Sequence, residues 1–241
     1  MTLWAVVPIK GLGAAKGRLA PLLTPAERAA LAAAMLGDVV AALLSTAAVE
    51  RVLVVSPDPA ALALAASLQA TPLRESVAAT ALPAGSAPGG EEAALNAALD
   101  HAAAVAVAGA ATALVALPAD LPLVTPADVA VVAAALPGAP SVVLAPTADG
   151  GTGALLRQPP LAIAACFGAD SVRAHLQAAA ARGVAARLVW RANLSLDVDR
   201  PADLEWVLTL PRNTRTRALL KDWRAAGRWP GAEAVALAPP R

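Results

Sequence analysis

Three aspartates are the residues best suited to chemistry in this 241-residue sequence: Asp120, Asp197 and Asp199. Asp120 follows the apolar run Leu114–Leu117 and is fenced by Pro118 and Pro122. A buried strand ending in a stiff, proline-bracketed carboxylate suits a parallel sheet, whose ligand crevice lies at the carboxyl ends of the strands. A turn role alone would also account for an aspartate there. Asp197 and Asp199 flank one residue, so in an extended segment both carboxylates point to the same side. Two like charges held together raise each other's pKa unless a cation neutralises them, and a divalent metal fits that need. Alternatively, Asp199 caps a helix opening at Arg200-Pro201-Ala202-Asp203.

A set of cations stands at the other end of the chain. Lys10, Lys16 and Arg18 lie in a glycine-rich loop, KGLGAAKGRL, directly after the first predicted strand, Leu3–Ile9. Glycines let a backbone approach a ligand closely, and the cations would meet negative charge there. The loop matches neither a Walker A motif nor GxGxxG, and it reads as a polyphosphate site of another kind. A solvated loop with incidental lysines is the plainer alternative. A second glycine-rich turn, Ala148–Gly153, offers free backbone N–H groups for an anion, as does the start of the helix after Phe167-Gly168-Ala169-Asp170-Ser171. Asn96 interrupts an apolar helical stretch, AALNAAL, where it either faces solvent or points at a base or ribose.

The elements between these loops are what must position them. Thr24-Pro25-Ala26-Glu27 is a capping box, and the helix it opens runs to about Leu44 with Leu31, Met35, Val39 and Leu43 as its buried stripe. Arg51–Val55 is a second strand, followed by a helix through Leu68. The loop Pro83–Gly90 precedes a helix beginning at Glu91. Thr125-Pro126 starts another that reaches about Leu136, and Ser171–Arg182 is a further one. Strands are expected at Ser141–Ala145, Ala154–Leu156 and Val184–Trp190. This alternation predicts a single α/β domain over residues 1–210, a mostly parallel sheet flanked by helices in three layers. Residues 211–241 read as a basic helix and a loosely ordered tail.

Composition closes off several functions. Hydrophobic residues make up 58% of the chain and mean hydropathy is +0.60, which raises the question of a membrane. Much of that is alanine, and no run of 18 strongly apolar residues occurs, so a spanning helix is not expected. The N-terminus lacks the basic segment and cleavage site of a signal peptide, so a soluble, cytoplasmic protein is expected. With net charge +1 and 2% aromatic residues, a nucleic-acid groove is not supported. One cysteine, Cys166, and two histidines, His101 and His175, leave no set for a transition metal, so any metal is a hard cation on carboxylates. Nothing fixes the oligomeric state, and a homodimer stays open.

The opening VPIKGLGAAKGRLAPLLTPAERAALAAAMLGDVVAAL closely resembles the start of the 2-phospho-L-lactate guanylyltransferase family. The likeness continues in order through LNAAL, LPADLPLVTPADV, GGTGALL, FGADSVRAH and LDVDRPADL, spanning nearly all of Leu3–Leu208. These are GT-A-like (Rossmann-like) nucleotidyltransferases of deazaflavin coenzyme F-420 biosynthesis. The resemblance implies transfer of GMP from GTP to a small phosphorylated acid, which is 2-phospho-L-lactate, phosphoenolpyruvate or 3-phospho-D-glycerate, with release of pyrophosphate. It implies Lys10, Lys16 and Arg18 on the GTP phosphates, Asn96 on the guanosine side, and Asp120, Asp197 and Asp199 on Mg²⁺. It also implies Thr152, Gly168 and Ser171 on the acceptor phosphate, with Lys10, Lys16 and Asp120 as the catalytic set. Two departures stand out: Gly151-Thr152-Gly153 where some members read GTN, and Ala94-Leu95-Asn96 where some read GLN. A nucleotidyltransferase acting on a molybdopterin or sugar-like phosphate, and a non-catalytic nucleotide-binding module, are the rival readings.

Overall fold

The computed structural model describes residues 1–13, 16–75 and 90–228. A central seven-stranded sheet runs in the order β3-β2-β1-β4-β6-β5-β7. The strands are β1 (Leu3–Pro8), β2 (Val49–Ser56), β3 (Thr71–Arg74), β4 (Ala113–Ala116), β5 (Ser141–Pro146), β6 (Thr152–Gln158) and β7 (Ala185–Leu188). β6 alone runs antiparallel to its neighbours β4 and β5, and the other pairings are parallel. Seven helices complete the described residues. They are α1 (Pro25–Leu44), α2 (Pro59–Ser67), α3 (Gly90–Ala108), α4 (Pro126–Ala134), α5 (Ser171–Ala181), α6 (Pro201–Thr209) and α7 (Arg215–Ala225).

Strand alternation divides the core. In β1, Leu3, Ala5 and Val7 join one apolar cluster with Leu36, Val39, Val40 and Leu43 of α1. Trp4 and Val6 point the other way, to Leu99, Ala102, Ala103 and Ala106 of α3. Period-two side chains on a sheet covered on both faces give such a continuous apolar strand. Alanine on α3 lets the helix lie close, and Gly109 at its end is required, since a Cβ there would stand 2.2 Å from the Trp4 ring.

The helices begin where the sequence signals them. Thr24 and Glu27 form a reciprocal capping box at α1, as do Thr125 and Asp128 at α4. Strand β3 carries Pro72, which no local signal marks as strand; it is tolerated because β3 is a sheet edge. Of the predicted loop Pro83–Gly90, Gly90 opens α3, and residues 83–89 lie outside the described residues, as does the tail beyond residue 228.

A third apolar cluster lies below the site. Leu19 and Leu23 pack with Leu31 and Met35 of α1, Leu123 and Val198, Leu204 and Val207 of α6, and Leu220 and Trp223 of α7. Asp38 of α1 accepts from the backbone N–H groups of Arg215 and Thr216 and from the Thr216 hydroxyl, satisfying orphan donors at the start of α7. The basic C-terminal helix is therefore docked on α1, and it clamps the segments that carry Leu19 and Val198.

Candidate active site

Asp120 sits three residues beyond Leu117, whose N–H extends the β1–β4 pairing by donating to the Val6 carbonyl. The Asp120 carbonyl in turn accepts from Val198 N–H at 3.0 Å. That one bond joins segments far apart in sequence and sets Asp197 and Asp199 beside Asp120. Oxygens of the three carboxylates lie within 4.8 Å of one another. Asp199 does not cap α6: the Asp203 carboxylate accepts from the N–H groups of Asp199 and Arg200, so the Asp199 side chain turns into the cluster.

Lys16 enters this cluster. Its ammonium donates to Asp120 at 2.7 Å and to Asp199 at 2.9 Å, with only 7% of the side chain exposed. Arg18 adds a bond to Asp199 at 3.0 Å. Burial by itself would lower the pKa of Lys16, but Asp120 and Asp199 outweigh it and hold the pKa above its ordinary value. The loop reaches the carboxylates because Lys16 adopts a left-handed backbone (φ 59°) and the next turn buries Leu19. Asp58 braces its other end by accepting from Leu12 N–H at 3.0 Å. Lys10 stands apart, paired with Glu91 at 2.5 Å in an exposed contact.

Two clefts meet at Asp120. The larger, about 620 Å³, is lined by Lys10, Lys16, Arg18, Glu91, Asp120 and Asp199 among others. The smaller, about 200 Å³, is lined by Asp120, Asp197, Thr152, Gly153, Gly168 and Ser171 among others. Phe167 walls both. Asn96 holds that wall: its amide donates to the Phe167 carbonyl at 2.9 Å and accepts from its N–H at 2.7 Å. Gly168 has φ 144°, and a Cβ there would meet the Glu92 carboxylate at 2.7–2.9 Å, so both conformation and space call for glycine. The sequence-predicted residues thus fall into two groups either side of one carboxylate cluster.

Three arrangements were not foreseen. Thr152 and Ser171 share a buried hydrogen bond, and Thr152 also meets His175, which is fully buried. Burial and the nearby Arg157 depress the His175 pKa to about 4. Arg157, in the middle of β6, is itself fully buried and pairs with Asp100 of α3 at 2.8 Å, which fixes the chain leaving β6. Buried Asp128 pairs with Arg191 and Asn193, each at 2.8 Å, and so ties the segment before Asp197 to α4. The Ser171/His175 spacing of four on one helix was a legible signal, as was an arginine inside the run ALLRQ.

The donor set suits a hard cation. Three carboxylates supply oxygen ligands at the mouth of two anion-sized clefts, with no sulfur or imidazole among them.

The chain is similar to known proteins in both sequence and fold. A family model described as "Guanylyl transferase CofC like" matches residues 3–228. The phosphoenolpyruvate guanylyltransferase of Rubrobacter xylanophilus is 45% identical over 205 residues, covering 85% of this chain and 92% of that protein. The 3-phospho-D-glycerate guanylyltransferase of Phenylobacterium zucineum is 38% identical over 228 residues, covering 92% of this chain and 98% of that one. Among solved structures, a nucleotidyl transferase from Methanothermobacter thermautotroptrophicus superposes with TM-score 0.59 at 17% identity, covering 86% of this chain and 95% of that chain. A Desulfovibrio desulfuricans G20 protein described as a nucleotide-diphospho-sugar transferase reaches TM-score 0.71 at 18% identity, covering 93% and 96%. These likenesses show the α/β nucleotidyltransferase-like fold.

Proposed function

The chain belongs to the guanylyl transferase family whose model spans residues 3–228, and from that premise we propose that it transfers GMP from GTP to phosphoenolpyruvate. The observation that carries this reading is the meeting of two clefts at Asp120, Asp197 and Asp199, one with cations and one with hydroxyls. GTP takes the larger cleft, with Lys10, Lys16 and Arg18 on its phosphates and Asn96 serving the guanosine side through Phe167. The acceptor phosphate takes the smaller one, against Thr152, Gly168 and Ser171. Phosphoenolpyruvate is preferred over 3-phospho-D-glycerate and 2-phospho-L-lactate because relatives of that name cover most of the chain at up to 45% identity.

An acceptor phosphate oxygen attacks the α-phosphorus of GTP, a new phosphoanhydride bond forms, and the bond to the β-phosphate oxygen breaks to release pyrophosphate. Such a transfer asks the protein for alignment and charge neutralisation rather than a nucleophile. Asp120, Asp197 and Asp199 would hold Mg²⁺, which when bound neutralises phosphate charge at the junction. Lys16 offsets the cluster's negative charge, so that two anionic substrates can approach it. Phe167, held by Asn96, separates the clefts and orients their occupants toward Asp120.

The test is pyrophosphate release from GTP with Mg²⁺ and each of the three acids in turn, the adduct being identified by mass spectrometry. Fastest turnover with phosphoenolpyruvate supports the full reading. Preference for another acid overturns the acceptor, and no pyrophosphate with any acid overturns the activity.

A further inference from the structure

His175 is a fully buried titratable group for which the reaction above gives no task. It lies one helical turn beyond Ser171 on the same face of α5. Its Nε2 accepts from the backbone N–H of Cys166 at 2.9 Å. A backbone N–H can only donate, so Nε2 carries a lone pair, and the proton of the neutral ring is on Nδ1. Nδ1, 3.2 Å from the Thr152 hydroxyl and also facing the Ser171 carbonyl, therefore presents a proton and cannot accept one from Thr152. With no acceptor on the ring behind it, the Thr152 proton points to Ser171, 2.9 Å away, or into the smaller cleft. Whichever of the two hydroxyls donates to the other, the accepting one has its proton left for the cleft. The Cys166 N–H bond and Phe167, which packs edge-on against the ring at 5.1 Å and 78°, hold it in this orientation.

The direction of these protons matters because of what else lines that cleft. Among the described residues that line it there is no lysine or arginine, whereas Asp120, Asp149 and Asp197 bring negative charge. Apart from a cation on the aspartates, a phosphate there meets only neutral donors, and a hydroxyl free to rotate would as readily present a lone pair. We propose that His175 is a positioning residue for the acceptor: by offering Thr152 no acceptor, it leaves the Thr152–Ser171 pair with a hydroxyl proton directed toward the smaller cleft, making it a donor seat for a phosphate. The proposal rests on the reading of that cleft as the acceptor site.

Three variants assayed with GTP, Mg²⁺ and phosphoenolpyruvate test both. His175→Phe keeps a ring but no hydrogen bond, and it should raise the KM for phosphoenolpyruvate about tenfold with that for GTP unchanged. His175→Asn keeps a nitrogen donor near Nδ1 and should recover most of the loss. Ser171→Ala should raise the same KM. An effect of Ser171→Ala without any of His175→Phe on the acceptor KM overturns the positioning role and leaves the acceptor site standing. No effect of Ser171→Ala overturns the acceptor site itself. Equal rises in both KM values for His175→Phe overturn the proposal as mere loss of packing. Nitrogen-15 NMR of the wild-type ring needs no variant to fold. It should report the Nδ1–H tautomer with signals that move on adding phosphoenolpyruvate, and the Nε2–H tautomer would overturn the proposal.

Discussion

The two clefts that meet at Asp120 are built on opposite principles. On the nucleotide side two of the cations are long and exposed: Lys10 is 53% and Arg18 68% exposed in their side chains. On the other side Thr152, Ser171 and His175 are at most 5% exposed and bonded to one another. Exposed charges act over distance but are screened and cost entropy to fix, while buried neutral dipoles act only at contact and are already fixed. A triphosphate, with charge to spare, suits the first kind of wall. A small phosphorylated acid, with little surface to recognise, suits the second. Lys16 is the exception on the nucleotide side, a buried cation held at the boundary by Asp120 and Asp199.

Breaking the boundary should have the largest effect. Asp120→Asn keeps shape and loses the charge that faces both clefts, so we expect kcat to fall about 100- to 1,000-fold. The fold should persist, because Asp199 still pairs with Lys16. Pyrophosphate release at limiting Mg²⁺, with a melting curve alongside, checks this; near-normal turnover would remove Asp120 from the cation site.

Acid should separate the two sides next. The folded His175 titrates at about 4, against roughly 6.5 when unfolded. Between those values the unfolded chain binds more protons, so stability is complete above pH ~6.5 and falls as pH drops toward 4, by about 3 kcal/mol in all. Arg157 and Asp100 are the charged groups acting on the ring. Melting temperatures across that window, with His175→Phe as control, should show a slope in the wild type that the variant lacks. Equal slopes would mean that other groups carry it.

Gly153→Ala probes how tightly the acceptor side is fitted. A Cβ there would stand 1.8 Å from the Leu194 carbonyl oxygen, a backbone atom in a turn that Asp128 holds through Arg191 and Asn193. Overpacking of this kind costs about 1–3 kcal/mol. Displacement of the adjoining Thr152 should raise the KM for the acceptor. A variant as stable as the wild type would show that the turn yields. The same contact gives a packing reason for glycine where some family members carry the asparagine of GTN, since a side chain there needs Leu194 elsewhere.

The contrast between the clefts also marks what a sequence discloses. Capping boxes at Thr24 and Thr125, the strand before Asp120 and the alternate aspartates 197 and 199 are local patterns, and the structure bears out those elements and brings the three carboxylates together. The lysines and the glycine-rich loop were visible for the same reason. Hidden were properties that arise only on pairing. ALLRQ reads alike in either direction, so the reversed strand β6 left no mark. His175 was read only as one of two histidines too few for a transition metal, and its role stayed hidden because its partners are 9 and 23 residues away. The docking of α7 depends on Asp38, which by itself is one more exposed-looking aspartate on a helix.

The smallest effect expected is on the nucleotide side, at Glu91. Its carboxylate, 88% exposed, pairs with Lys10 at 2.5 Å at the edge of the larger cleft. The Lys10 hydrogen bond holds its carboxyl below the ordinary value, so it is ionised at neutral pH. A pair so open contributes little to stability, and Glu91→Gln should leave the melting temperature where it is. The carboxylate has another consequence, because it engages Lys10 and repels phosphates. Its removal should lower the KM for GTP about twofold at low ionic strength, an effect that fades as the screening length shrinks to about 8 Å near physiological salt. The KM for the acceptor, set by buried dipoles, should move with neither the substitution nor the salt. Should both KM values shift together, charge would reach across Phe167 and the two sides would not be independent. Should the KM for GTP stay fixed at low salt, Lys10 would not face the nucleotide, leaving Lys16 and Arg18 as the cations of that cleft.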